Sequence, residues 1–513
     1  MKQLEISGRL LARNSLINFF GQAVPLIVGI ITIPFIVRGL GVERFGLLSL
    51  AWVVLGYFTI FDLGLGRATT KYVAEALGKG EEDNLPHLVW TAVTIQVLLG
   101  FVGALVLVGI TPLLAERILN IPEGLLREAK ITFYLLSLAI PIILISSSFS
   151  GILEADQRFD LVNYVRIPSS AFTYLIPLAG WKLGLRLPGI ITLIVTLRLI
   201  GLIIFVVMDF HFFPKIKRFS IHFVTLKQLL TFGGWLTVSN VVSPILAYFD
   251  RFLIGSVLSM AAVTYYTAPY EAITKLWIIP VSLTMALFPA FSSLTGSGAL
   301  DRVEPFFVRS VKYVFASLAP VVLILILFSR EILGIWLGND FGIQSSTVFQ
   351  LLGFGILVNS LAHVPYSLLQ GIGRPDIPAK FHLLELPFYV GTVLVFINVW
   401  GITGTAFAWL VRVTIDSFLL FIAAFRIFRF PARLLAGNGV KYIGSFFVLL
   451  ILLVYGVKRL TLAPLLGIQP FLFMIIIGLF VWLIWQKVLD PSDRKPIISL
   501  MKYLESSKPS DGK

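Results

Sequence analysis

Glu271 and Lys275 lie four residues apart inside the apolar run "TAPYEAITKLWIIPVSLTMALFPAF" (267–291). On a helix this spacing places both side chains on one face, with the acid nearer the N-terminus, which is the orientation that favours pairing. A carboxyl group on which desolvation and a neighbouring amine act in opposite directions can change its charge state. The pair is therefore a candidate proton-exchanging group. The alternative is a structural pair that neutralises itself.

Further ionisable residues interrupt other apolar runs, namely Arg198, the adjacent Asp250 and Arg251, and Arg412 with Asp416 one helical turn later. A charge at the centre of a bilayer costs about 2.5–3.5 kcal/mol on insertion scales, so such residues normally face a protein interior and mark a pathway. A structural role for Arg412–Asp416 and a hydrated position near the outer interface for Asp250–Arg251 are the alternatives.

The composition indicates which elements carry these residues. The chain has 513 residues, of which 57% are hydrophobic and 13% are charged, whereas soluble domains carry about 25% charged residues. A helix needs ~20 apolar residues to cross the hydrocarbon core. We therefore predict an all-α polytopic membrane protein with about fourteen transmembrane helices, near residues 14–37, 45–65, 87–111, 131–153, 163–183, 188–210, 231–256, 261–291, 307–329, 346–369, 379–400, 402–425, 440–457 and 469–488.

The positive charge follows the predicted topology. With both termini in the cytoplasm, most of the 41 Lys and Arg residues fall in cytoplasmic segments, as the positive-inside rule requires. The basic N-terminus precedes an apolar run of more than twenty residues, which is longer than the apolar core of a signal peptide and predicts a retained first helix. The net charge of +14 is thus a feature of topology, and we expect no nucleic acid partner.

Several site classes are excluded by residue types. The chain has no cysteine, which rules out disulfides, thiol nucleophiles and thiolate metal sites. Its five histidines show no ligand spacing, and no Gly-rich run matches the G-x-x-x-x-G-K-[ST] phosphate loop. The predicted connections between spans are short. We therefore expect no metal, no cofactor and no enzymatic activity.

An internal repeat organises the spans. "LLSLAIP" (135–141) and "LLGFGIL" (351–357) align at an offset of 216, and the same offset carries "ILEADQRFDL" (152–161) onto "LLQGIGRPDI" (368–377). In the next segment "GIITLIVTLR" resembles "GITGTAFAWLVR", so that Arg198 matches Arg412 at an offset of 214. An even number of helices per repeat gives parallel repeats, a known transporter plan.

This pattern predicts two six-helix lobes followed by two extra helices. The predicted boundaries are 1–215 for the N-lobe, 216–430 for the C-lobe, 431–490 for helices 13 and 14, and 491–513 for a cytoplasmic tail.

Particular stretches resemble a known family. Residues 13–75 combine a first helix broken by proline, an "LG-x-x-x-FG" turn and a "DLGL" end to the second helix. Residues 248–280 repeat this theme, and "LLQGIGRPDIPAK" (368–380) is similar to the family's turn after helix 10. Most of residues 10–430 resembles the polysaccharide (Wzx-type, O-antigen) flippases of the multidrug/oligosaccharidyl-lipid/polysaccharide (MOP) exporter superfamily.

The resemblance implies a MATE-like pair of lobes around a central cavity that opens alternately to either side of the inner membrane. It also implies a substrate, undecaprenyl-pyrophosphate-linked oligosaccharide, that moves to the outer leaflet for surface polysaccharide and O-antigen synthesis. A proton or sodium gradient would drive the movement. Polysaccharide polymerase or glycosyltransferase machinery would work alongside it.

The resemblance assigns roles to the ionisable residues, because several lie in helices that the family places around the cavity. Arginine can grip phosphate oxygens bidentately, whereas lysine acts as a point charge. The expected pyrophosphate hosts are Arg198, Arg251, Lys275 and Arg412, and the expected ion-coupling residues are Glu271, Asp250 and Asp416. The expected saccharide contacts are Tyr265, Tyr266, Tyr270 and Trp277. The expected inner gate is Asp62, Arg67, Arg158, Asp160, Arg374 and Asp376, for which helix capping is the structural alternative.

Three other functions are the alternatives. A cation-coupled multidrug (MATE-type) antiporter usually has twelve helices and takes cationic drugs, for which four basic residues are a poor host. A flippase of the peptidoglycan precursor lipid II also has fourteen helices and a cationic cavity. A membrane enzyme of polysaccharide synthesis would need a large external loop, and no predicted loop is long enough.

Overall fold

A computed structural model describes residues 8–57, 62, 64–222, 242, 245–296, 300–431, 442, 445, 452, 469–491 and 494. The regular elements of this described part are all helical. They are α1 (Gly8–Leu40), α2 (Val42–Tyr57), α3 (Leu65–Lys79), α4 (Leu85–Leu113), α5 (Glu123–Ala155), α6 (Phe159–Lys182), α7 (Leu187–Phe212), α8 (245–257), α9 (Met260–Thr274), α10 (Ile278–Gly296), α11 (Leu300–Leu327), α12 (Ser329–Leu337), α13 (Asn339–Gln344), α14 (Ser346–Gly371), α15 (Asp376–Phe428) and α16 (Gln469–Leu483).

The predicted all-α polytopic class is confirmed. Among the described residues, seven helices are long and apolar enough to cross a membrane. Their outward faces carry large apolar side chains, for example Leu98, Phe101 and Leu105 on α4, each at least 60% exposed. Half of the predicted span 231–256 lies outside the described residues, as does the span 440–457 apart from residues 442, 445 and 452. The count of fourteen stays a prediction.

The predicted helical span 261–291 is divided into α9 and α10 by one turn of 3₁₀ helix at Lys275–Trp277, across which the chain stays helical. Pro280 has no amide hydrogen to donate back into that turn, which explains why an α-helix does not continue through it. Lys275 therefore stands at a break in the helix.

The 53-residue α15 is two helices joined without a loop. Gly401 has φ 58° and ψ −135°, a backbone conformation that glycine adopts readily and other residues rarely do. The sequence predicts separate spans at 379–400 and 402–425, so the break falls at the residue between them.

The helices pack into two compact units. The first unit comprises residues 1–269 and 382–405. Within it α5 packs on α4 and α7, and α1 packs on α6. Its core is apolar and is built mainly by α3 to α7, with Val89, Phe149, Leu153 and Phe205 among its buried members.

The second unit comprises residues 270–381 and 406–513. Within it α14 packs on α10 and α11, and α16 packs on α11. Phe291, Phe315, Leu357 and Phe480 belong to its buried core. The predicted lobe boundaries at 215 and 430 stay predictions.

Two of the short helices that the sequence analysis did not predict are α3 and α12. Leu65, Ala68 and Val73 give α3 one buried face at helical spacing, and α3 ends at Gly80 with φ 74°. α12 follows α11 after a single residue, Phe328. Both helices occupy stretches that the sequence treats as connections, because each is too short or too polar to read as a span.

Candidate functional site

Asp250 and Arg251 form a buried polar cluster in the first unit, with exposures of 0% and 1%. The Tyr266 hydroxyl donates to Asp250 Oδ2 (2.7 Å), and the Arg251 backbone N–H donates to Asp250 Oδ1 (2.8 Å). The Arg251 guanidinium lies 5.2 Å from the centre of the Tyr248 ring and donates to the Ala247 carbonyl. A hydrated, exposed position for Asp250–Arg251 is not what the structure shows.

Glu271 and Lys275 form the ion pair that their spacing predicts. Lys275 Nζ lies 3.3 Å from Glu271 Oε2 in the second unit. The side chains are 25% and 20% exposed, so solvent screens this pair more than the Asp250 cluster. The choice between a structural and an ion-coupling role stays open.

Of the predicted saccharide contacts, two are packed inside the protein. Tyr266 is engaged by Asp250, as described above. Tyr270 is buried, and its ring meets that of Trp409 edge-on at 6.0 Å. Tyr265 and Trp277 are partly buried.

Arg412 and Asp416 lie one turn apart on the second half of α15. Asp416 is buried, whereas Arg412 is partly buried with its Nε atom out of contact with solvent. Trp409 precedes Arg412 by one turn, so the Tyr270 contact and these charges belong to the same part of the second unit.

Arg198 lies in a different setting, a polar pocket of about 270 Å³ between α5, α6 and α7 of the first unit. Arg166 also lines this pocket. Hydroxyl groups supply most of the remaining polar lining, from Ser146, Ser147, Ser150, Ser169, Ser170 and Thr173. Arg198 Nε is buried and has no hydrogen-bond partner within the described part of the chain.

The pocket contains residues that the sequence analysis did not single out. Arg166 donates to the Ser150 hydroxyl (3.1 Å) and pairs with Glu154 (2.7 Å). The available signal was the serine runs "SSSFS" (146–150) and "SS" (169–170), which are unusual inside apolar spans.

The two "R-x-D" turns have the same backbone geometry, 216 residues apart. In the first, Gln157 N–H bonds to Glu154 and Arg158 N–H bonds to Leu153. In the second, Gly373 N–H bonds to Gln370 and Arg374 N–H bonds to Leu369. Gln157 (φ 59°) and Gly373 (φ 76°) both adopt the left-handed conformation that ends a helix in this motif.

The side chains of these turns pair as well. Arg158 Nε lies 3.3 Å from Asp160, and its guanidinium lies 4.6 Å from the centre of the Phe212 ring. Arg374 contacts Asp376 through two nitrogens at 2.9 and 3.2 Å, and this contact raises the pKa of the Arg374 guanidinium. The backbone of both turns ends the preceding helix, and a gating role of the side chains is a proposal.

Asp62 is positioned as a helix cap. Its carboxylate accepts from the Gly66 backbone N–H at the start of α3 (3.2 Å) and from the Gln96 side chain (2.8 Å). Arg67 is exposed. A second buried carboxylate, Glu128 on α5, accepts from Arg44 on α2 (3.2 Å) and from the first backbone N–H of α7 at Leu187 (2.9 Å). Its partner is 84 residues away in sequence, so no local pattern could indicate it.

Comparison with known proteins places this chain in a family. Residues 11–295, more than half of the chain, match the family model described as polysaccharide biosynthesis protein. A putative O-antigen transporter of Shigella flexneri is 32% identical over 413 residues, which is 80% of this chain and 96% of that protein. The chain belongs to the polysaccharide biosynthesis protein family. The resemblance to the Wzx-type branch of the MOP superfamily is thus confirmed, and the chain is a multi-pass membrane protein.

The fold of this family member is shared with two kinds of solved transporter. An inward-facing MATE multidrug transporter of the MOP superfamily aligns with a TM-score of 0.71 at 16% identity, over 80% of this chain and 94% of that one. The lipid II flippase MurJ, in an inward closed conformation, aligns with a TM-score of 0.67 at 15% identity, over 93% and 98%. A MatE family model also matches residues 236–397. At these identities the structural likeness shows the fold alone.

Proposed function

We propose that this protein is a secondary transporter that flips polyprenyl-pyrophosphate-linked oligosaccharide units from the cytoplasmic to the outer leaflet of the inner membrane. The alignment with the putative O-antigen transporter carries the proposal, since it spans nearly the whole length of that relative. The product would supply surface polysaccharide or O-antigen synthesis, and the working partners would be polymerase and glycosyltransferase machinery.

The charges inside the helices support an anionic substrate. Arg198 and Arg251 of the first unit and Lys275 and Arg412 of the second stand in segments where charge is expensive. Arg198 has a buried Nε that is free to bind an anion within the described residues. We assign pyrophosphate binding to these four side chains. Tyr265 and Trp277, which are partly buried, are the corresponding proposal for saccharide contact, whereas Tyr266 and Tyr270 are packed inside the protein.

Ion coupling is assigned to Glu271, with Asp250 and Asp416 as further protonatable groups. Glu271 is the strongest of these because it is partly exposed and its partner lies at a helix break, where a small rearrangement can separate the two. Transport would then alternate between a paired and a protonated Glu271. The proposed inner gate is Asp62 with Arg67, and the turns Arg158–Asp160 and Arg374–Asp376.

The proposal is tested by leaflet-to-leaflet movement of a fluorescent polyprenyl-pyrophosphate oligosaccharide in proteoliposomes, with and without a pH gradient. Wild type should move the lipid faster with the gradient, and Glu271→Gln should move it at a rate that does not respond to pH. Lys79→Gln, which removes an exposed surface pair on α3, is the matched control. Movement without any gradient dependence would remove Glu271 from coupling and keep the flippase.

The MATE-like fold makes a multidrug antiporter the second candidate, favoured by the match of the MatE model over residues 236–397. Gradient-driven efflux of a cationic dye, together with failure to move polyprenyl lipids, would establish it in place of the flippase. Selective movement of lipid II alone would instead indicate a peptidoglycan precursor flippase.

A further inference from the structure

Two cavities of the first unit share part of their lining. One is the polar pocket of about 270 Å³ between α5, α6 and α7. The other is a groove of about 550 Å³ between α6 and α7. Val165, Ser169 and Gly201 line both of them, so the two cavities are adjacent and share this wall.

The polar pocket is suited to an anion. Its two cations are the guanidinium groups of Arg166 and Arg198, and its described lining contains no carboxylate. Glu154, outside the lining, neutralises part of the Arg166 charge, whereas Arg198 has no such partner among the described residues. Six hydroxyl groups line the pocket with these cations. Those of Ser146, Ser150 and Thr173 donate to backbone carbonyls of their own helices, and a hydroxyl can turn to donate to another acceptor. Guanidinium and hydroxyl groups are donors that bind phosphate oxygens.

The groove is suited to a hydrocarbon chain. Its walls are Ile167, Phe172, Leu197, Ile200 and Ile204, while Asp160 and Asn163 line it only near the start of α6. Phe172 and Ile200 are 44% and 48% exposed, so the groove is open along its side. Such an opening leaves room for a hydrocarbon chain to enter from the side.

We propose that these cavities together bind the polyprenyl pyrophosphate end of the substrate, with the pyrophosphate in the Arg166–Arg198 pocket and the first isoprene units in the α6–α7 groove. The inference rests on the proposed flippase function and adds a specific site to it. Two guanidinium groups match two phosphates, and one groove receives one chain. A phospholipid has one phosphate and two chains, and fits this arrangement less well.

The depth of the pocket indicates when the site is used. Arg166 is seven residues beyond the start of α6, or about 10 Å along the helix at 1.5 Å per residue. In the predicted topology α6 starts on the cytoplasmic side, so the pocket is within reach of the inner leaflet. The site would therefore capture the lipid before it crosses.

Gly201 offers a way to close the site without removing a charge. A Cβ atom there would lie 3.4 Å from the Val165 side chain and 3.7 Å from the Ser169 hydroxyl, which are ordinary contact distances. A longer side chain would extend from this shared wall and reduce the space available to a ligand. Gly109 on α4 has no atom within 4 Å of its would-be Cβ and provides the matched control.

The test is binding of undecaprenyl pyrophosphate without a glycan to the purified full-length protein, measured by native mass spectrometry in detergent. We expect Arg198→Gln and Gly201→Leu each to weaken binding by about tenfold or more, because a charged hydrogen-bond partner or the space for the chain is lost. Gly109→Leu should stay within about threefold of wild type, since it touches nothing. Arg198→Lys should bind with an affinity between those of wild type and Arg198→Gln, because it keeps the charge and loses the bidentate geometry. Size-exclusion profiles and thermal unfolding confirm that each variant folds.

The possible outcomes test the proposed site and the proposed function separately. Tight binding by folded Arg198→Gln and Gly201→Leu overturns the site, even if the wild type flips the full substrate. Equal affinity of the wild type for phosphatidylglycerol also overturns it, in favour of an ordinary anionic lipid. Binding that depends on Arg198 in a protein that flips no oligosaccharide lipid supports the site and overturns the proposed function.

Discussion

Arg198 and Arg412 occupy equivalent positions of a sequence repeat, but different residues surround them. The first copy is α5 to α7 (123–212), and the second is α14 and α15 (346–428). One turn after Arg198 the first copy has Leu202, where the second copy has Asp416 after Arg412. The two copies thus share a backbone plan and differ in charge. In the first copy the arginine has no acidic residue one turn later, and in the second copy it has one.

The other residues that line the pocket also differ between the two copies. At an offset of 216, Ser146, Ser147 and Ser150 correspond to Ala362, His363 and Tyr366, and Ser169 corresponds to the buried Glu385. Arg166 corresponds to His382. The helix-ending turns are alike in both copies, whereas the linings are not. The repeat therefore preserves the scaffold while the side chains differ, and the proposed anion site lies in the first copy.

The largest effect should come from giving the first copy the acid of the second. Leu202→Asp places a carboxylate one turn from Arg198, on a residue that lines the same pocket. We expect the initial flipping rate to fall by at least about tenfold, because the carboxylate competes with the phosphate for the guanidinium. Leu202→Asn is the control of similar shape and should retain most of the rate. Equal losses in the two variants would mean that packing at 202 matters and charge does not.

The next prediction compares Arg166, the second basic residue of the pocket in the first copy, with His382 at the equivalent position of the second copy. Arg166→Gln removes a guanidinium from the pocket and should slow flipping by about threefold to tenfold, less than the loss of Arg198 because Glu154 already neutralises part of this charge. His382→Gln at the equivalent position should leave the rate within about twofold, since no anion pocket is assigned there. The measurement is the initial rate in proteoliposomes at matched protein density. A stronger effect of His382→Gln would reverse the comparison between the copies.

A stability difference is expected between the buried and the partly exposed charges. Tyr266→Phe removes the hydroxyl that donates to buried Asp250, and should destabilise the protein by about 1.5–3 kcal/mol. Lys275→Gln breaks a partly exposed pair and should cost less than about 1 kcal/mol. Thermal unfolding in detergent compares the two variants with wild type. Equal shifts in the unfolding midpoint would show that the two clusters are equally screened.

The smallest effect tests the shared scaffold. Gln157 is in a left-handed conformation that its repeat counterpart, Gly373, adopts without strain. Gln157→Gly should stabilise the protein and Gly373→Ala should destabilise it, each by about 1 kcal/mol. The unfolding midpoint should therefore move in opposite directions for the two variants. Shifts of the same sign would mean that the turns are not equivalent.

The sequence predicts the scaffold well because hydrophobic length and repeats are local signals. The boundaries of α4, α7 and α14 fall within a few residues of the predicted spans, and the break in α15 falls at Gly401. The break at Lys275–Trp277 was missed, because hydropathy does not distinguish one helix from two joined by a tight turn.

The candidate site was predicted less completely. Arg198 was identified as an isolated charge, and the Glu271–Lys275 spacing predicted a real pair. The pocket around Arg198 was not predicted, since it needs three helices to bring Ser147, Arg166 and Arg198 to one place. The contact of Tyr266 with Asp250 and that of Glu128 with Arg44 likewise depend on tertiary packing.

The central claim is that the first copy binds the anionic end of a lipid-linked oligosaccharide. The most direct measurement is the flipping rate of a fluorescent polyprenyl-pyrophosphate oligosaccharide by wild type, Arg198→Gln and Arg412→Gln in matched proteoliposomes. We predict that wild type flips the lipid and that Arg198→Gln is slower by about tenfold or more. The logarithm of the flipping rate should fall less than half as far in Arg412→Gln as in Arg198→Gln. An Arg198→Gln rate equal to wild type, or a greater loss in Arg412→Gln, would contradict the claim.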